Sequence, residues 1–132
     1  MVPSKPERRL ATFRCIPPAL KRSVDLFADE LQVPVGYAAR ILLEFSLFEF
    51  RQGRLKMVPK MSPRGWTLYP NDTPHQSKPV SFRGIPDALF QDIQRVASQL
   101  ALGNGMIARV DKGEVARKFL EYGLSEHKKQ RI

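Results

Sequence analysis

Four polar side chains stand where the sequence alternates between apolar and polar residues. Thr12 and Arg14 flank Phe13, and Ser81 and Arg83 flank Phe82 in the same way. A period of two puts each polar pair on one face of a short strand and the phenylalanine on the other. An arginine presented from a strand can grip O6 and N7 of guanine with two hydrogen bonds, and a hydroxyl can donate to or accept from other base edges. One good bidentate arginine supplies ~1–3 kcal/mol of discrimination against the wrong base. Thr12 differs from Ser81, so the two faces need not read the same bases.

Charge points to the same chemistry. Twenty-two basic and 13 acidic side chains leave +9 over 132 residues, which makes a polyanion the first partner to consider, nucleic acid ahead of membrane. The excess is unevenly placed: +2 in residues 1–10, −1 in 11–50, +5 in 51–78, +1 in 79–124 and +2 in 125–132. Lys5, Arg8 and Arg9 at the start and Lys128 and Lys129 near the end are therefore expected to contact DNA phosphates. Catalysis finds no matching constellation. There is no glycine-rich phosphate loop and no Ser, His and Asp set, and the one cysteine and two histidines cannot build a four-ligand zinc site. The chain is expected to be no enzyme, to need no cofactor or metal, and, with only short apolar runs, to be cytoplasmic and free of membrane spans.

An internal repeat supplies the elements that must position these residues. Phe13-Arg14-Cys15-Ile16-Pro17-Pro18-Ala19-Leu20 returns 69 positions later as Phe82-Arg83-Gly84-Ile85-Pro86-Asp87-Ala88-Leu89, with six of eight residues identical. Val33, Gly36, Ala39, Arg40, Leu43, Glu44 and Leu47 return 77 positions later as Val110, Gly113, Ala116, Arg117, Leu120, Glu121 and Leu124. Each copy reads as one strand and two helices. Leu20, Val24, Phe27, Ala28 and Leu31 form a helical apolar stripe, matched by Leu89, Ile93, Val96, Ala97 and Leu100. The second helix of copy one opens at Pro34 and is apolar on most faces, so other protein must enclose it; that of copy two opens at Asp111, with Glu114 completing a capping box. Arg40 and Arg117 are placed to pair with Glu44 and Glu121 one turn on. A copy of roughly 40 residues is near the lower limit for its own core, so the two must meet, with strands paired antiparallel and second helices packed together.

Strand, Ile-Pro-x-Ala-Leu, amphipathic helix, short turn and Val-x-x-Gly-x-x-Ala-Arg-x-x-Leu-Glu resemble the ribbon-helix-helix family of the Arc and MetJ type. The resemblance covers residues 10–50 and 79–124. It implies an α+β, mainly α fold: two ribbon-helix-helix repeats forming an intramolecular pseudo-dimer with a two-stranded antiparallel ribbon. It also implies double-stranded DNA as partner, major-groove readout by Thr12, Arg14, Ser81 and Arg83, and a transcriptional repressor; whether copies associate side by side on DNA is not set by the sequence. A plasmid transfer or partition accessory protein, an antitoxin, or a structural subunit that keeps the fold without reading DNA are the alternatives. The family's outward strand residue lies two positions before the proline, whereas Arg14 and Arg83 lie three before it. An extra residue, Cys15 or Gly84, is expected to form a β-bulge that keeps the arginines outward.

The organisation read from the sequence is a basic arm (1–9), repeat one (10–51), a basic connector (52–78), repeat two (79–125) and a basic tail (126–132). The start of each second helix, at Val35 and Gly36 and at Lys112 and Gly113, offers free amides suited to a phosphate. The connector carries Leu55, Met57, Trp66, Leu68 and Tyr69, too apolar for a bare spacer. It reads as a hairpin turning at Pro63 to Gly65, expected to cover the apolar helix of copy one, with contact to DNA as a wing or docking of a protein partner as its other roles. Cys15 is expected as a buried strand thiol.

Overall fold

The computed structural model describes residues 10–62, 65–69, 79–103 and 110–129, with the backbone alone for 61–62, 65–66 and 101–103. The arm with Lys5, Arg8 and Arg9, the hairpin tip and the last three residues lie outside this set. Among the described residues the order is β1 (Ala11–Phe13), α1 (Pro18–Leu31), α2 (Val35–Arg51), β2 (Lys60–Ser62), β3 (Gly65–Thr67), β4 (Val80–Phe82), α3 (Asp87–Gly103) and α4 (Lys112–Lys128). The chain is α+β and mainly helical. Its two sheets are two-stranded and antiparallel: β1 with β4, and β2 with β3. No single helix among the described residues is long and apolar enough to cross a membrane.

Matched positions of the two copies build one core. Phe13 and Phe82, Ile16 and Ile85, Val24 and Ile93, and Leu43 and Leu120 are all fully buried. Each such side chain is worth ~1.5–3 kcal/mol relative to exposure. The stripe of α1 buries Leu20, Val24, Phe27 and Ala28, but Leu31 stays 39% exposed because Gln32 turns the chain away in a left-handed conformation. The predicted enclosure of α2 is likewise incomplete: Phe48 is exposed, with the Arg54 guanidinium over its ring.

The helices α2 and α4 cross closely through reciprocal small residues. Buried Ser46 donates to the Phe119 carbonyl at 2.6 Å. At the matched position of copy two, Gly123 lies against Leu42, whose Cδ2 would be 2.8 Å from an added Cβ. Arg40–Glu44 and Arg117–Glu121 form the expected pairs, each at 3.2 Å.

Three features add to or differ from the sequence reading. First, α4 continues through Lys128 into the segment read as a tail, because Glu126 is buried and His127 packs edge-on against Phe27 and meets Glu30 at 2.8 Å. Second, the hairpin exists, with Lys60 opposite Thr67, and the connector divides its contacts. Before the hairpin Arg54 pairs with Glu49 of α2 and lies over Phe48 while Leu55 and Met57 are buried, and after its turn the chain docks on α4. The Thr67 hydroxyl and the Leu68 amide both donate to Glu114 Oε1, while Tyr69 donates to Glu121 and lies beneath Arg117, 3.7 Å from its guanidinium carbon. Third, the capping box is only half formed. Asp111 accepts from the Gly113 amide at 3.0 Å, but Glu114 is drawn away to the connector.

Candidate nucleic-acid interface

Pairing of β1 with β4 fixes the directions of the ribbon side chains. Ala11 opposes Phe82, Thr12 opposes Ser81, and Phe13 opposes Val80. Ala11, Phe13 and Phe82 point into the core, while Thr12, Arg14, Ser81 and Arg83 are exposed. Thr12 and Ser81 thus share the outward side of the ribbon, and Arg14 and Arg83, one residue past each strand, are exposed at its two ends. Neither arginine has an ion-pair partner among the described residues.

The extra residue in each copy is not a bulge inside the ladder. Pairing stops at Phe13 and Phe82, and Cys15 (φ 67°) and Gly84 (φ 76°) lie beyond it as left-handed turns. That turn lets Ile16 and Ile85 re-enter the core directly after an outward arginine. Glycine adopts the conformation freely, whereas Cys15 bears about 1–2 kcal/mol of strain.

The ribbon also has a feature that its sequence did not announce. Thr12 Oγ1 and Ser81 Oγ lie 2.7 Å apart and bond each other across the two strands. One hydroxyl hydrogen is used in this bond, so the pair keeps a single donor and several lone pairs for an outside partner. A facing pair in the antiparallel register explains it, but that register was not available from either strand alone.

The predicted phosphate residues are placed less favourably. Gly36 and Gly113 are buried with their Cα atoms against the ribbon: a Cβ on Gly36 would overlap the Arg83 carbonyl, and one on Gly113 the Arg14 carbonyl. Their lack of a side chain thus serves close packing, not approach to an anion. Each glycine clasps the strand end of the other copy, tying the backbone of each arginine to a helix start. The Gly113 amide is already taken by Asp111. At the start of α2 the cap residue is Pro34, which makes no side-chain hydrogen bond, so Val35 and Gly36 face no competing carboxylate from that position. Lys112 is half-buried, its ammonium 5.7 Å from the centre of the Phe90 ring. At the chain's end Lys128 and Lys129 are both exposed, and the Lys129 ammonium lies 3.3 Å from a Glu126 carboxylate oxygen.

Cys15 is exposed, contrary to the expected buried thiol, because it falls in the turn after β1. Its Sγ donates to Asp111 Oδ2 at 3.8 Å. Partial desolvation, with the Asp111 and Glu114 carboxylates close by, pushes the thiol up from 9.0 to about 11. The neutral thiol therefore dominates at neutral pH, and reactivity climbs only as pH rises toward 11. Alkylation at pH 8 is expected to run about a hundredfold slower than for a thiol of ordinary acidity, and denaturation should abolish the difference. A rate equal to that of the unfolded chain would contradict this placement.

Comparison with known proteins finds no matching family model, curated relative or solved structure.

Proposed function

We propose that this chain is a sequence-specific double-stranded DNA-binding protein, a single-chain pseudo-dimer of two ribbon-helix-helix repeats that acts as a transcriptional repressor. The observation that carries the reading is the β1–β4 ribbon, with Thr12, Arg14, Ser81 and Arg83 outward and Ala11, Phe13 and Phe82 inward. Paired strands lie ~4.8 Å apart and fit a major groove ~12 Å wide. The +9 charge favours a phosphate-rich partner, and the reciprocal glycine clasps hold both arginines on a rigid support. Blocking of a promoter follows if the selected site overlaps one.

Selection of duplexes from a random pool tests the proposal. The expected result is one enriched motif with guanine in each half, bound in preference to random competitor. Enrichment of no motif, or binding that depends on salt alone, would sink the groove-reading assignment.

A further inference from the structure

The two ends of the ribbon are chemically unequal. At the Arg14 end the turn residue is Cys15 and the start of the adjacent helix is Asp111, with a contact of 3.8 Å between them. At the Arg83 end the matched positions are Gly84 and Pro34, which carry no charge. The carboxylate that opens the next helix there, Asp87 in place of Pro18, accepts from Gln91 one turn along its own helix. The next acidic residue of the Arg14 end, Glu114, corresponds to Tyr37 at the other. Glu114 is engaged by Thr67 and Leu68, whereas one Asp111 oxygen caps Gly113 and the other faces the exposed turn. Lys112 brings a compensating charge to this end, but its ammonium is over the Phe90 ring.

We infer that Asp111 is an orientation determinant: its carboxylate, beside the turn that presents Arg14, repels the DNA backbone there and makes the Arg83 end the tighter anchor. The inference rests on the groove reading proposed above and deepens it. A symmetric dimer would carry the same residue at both ends and bind either way round. Here the duplex target is a non-palindromic site, read in one direction.

Asp111→Asn tests this, because asparagine caps a helix as well as aspartate does while removing the charge. Unchanged thermal unfolding and faster Cys15 alkylation would show a folded variant that has lost the carboxylate; Asp111→Ser, which also caps, provides a second variant. The probe is the duplex selected by the unaltered protein, and its Arg14 half is the one whose base preference Arg14→Ala alters. Asp111→Asn is expected to bind about fivefold more tightly at low salt, with the gain shrinking at high salt and the added backbone protection confined to the Arg14 half. Equal affinity, or protection gained equally in both halves, overturns the inference and leaves groove reading standing. A protein that selects no duplex overturns both.

Discussion

Gly113→Ala is expected to destabilise the protein by about 3 kcal/mol or more, and Gly36→Ala by a similar amount. In an ordinary helix the same change stabilises, by about 0.5–1 kcal/mol, because alanine restricts the unfolded chain and favours the helix. Here the added methyl overlaps a backbone carbonyl, that of Arg14 or Arg83, which has no rotamer to move into. Relief requires the helix start and the strand end to separate, and that opens the core beneath Phe13 and Phe82. The steric cost exceeds the propensity gain several-fold. Two other glycines grade the effect. Gly123→Ala meets chiefly the Leu42 side chain, which can shift, so it should cost less. Gly53 has open space around it but φ 80°, so alanine there should cost only about 1 kcal/mol of backbone strain. Thermal unfolding reads the series, with a fall of roughly 10 °C for Gly113→Ala. A Gly113→Ala protein as stable as the parent would mean that the clasp does not exist.

The clasp shows what the sequence could and could not disclose. That Gly36 and Gly113 recur at matched positions is plain in the sequence, and so is the alternation that sets Phe13 and Arg14 on opposite faces. Both are local patterns, but a period of two only separates Phe13 from Arg14; which of them turns inward is settled by the shared core that Phe13 and Phe82 enter. What a glycine faces is not local: Gly36 touches Arg83, and Gly113 touches Arg14. Nor did composition reveal that Glu114 would leave its capping box, since its partners Thr67 and Leu68 arrive from the connector. Glu126 read as part of a basic tail because a buried carboxylate looks like a solvated one in sequence. Its match with Glu49, also buried and held by Arg54 and Tyr122, was the available signal that the helix runs on. The inserted residue after each strand was visible, but its left-handed turn beyond the ladder depends on Ile16 and Ile85 reaching a shared core.

Arg14→Ala and Arg83→Ala should each lower the preference for the selected duplex over random DNA by about 10- to 100-fold, matching the ~1–3 kcal/mol of a bidentate arginine–guanine contact. The residues sit at opposite ends of the ribbon and share no contact, so the double variant should lose close to the product of the two effects. Stability should stay within about 0.5 kcal/mol of the parent, because both side chains are exposed and their backbone clasp is untouched. That separates readout from folding, which the glycine variants cannot do. Loss of one positive charge also weakens binding to every sequence, but only by about one unit of salt slope, and it leaves the ranking of sequences unchanged. Competition binding with the selected duplex, random duplex and single-base variants distinguishes the two effects. A base-reading Arg14 loses discrimination at one position in one half-site, and Arg83 at one position in the other. If either variant instead weakened all duplexes equally, its guanidinium would be gripping phosphate, and the ribbon would be positioning the protein without reading the sequence.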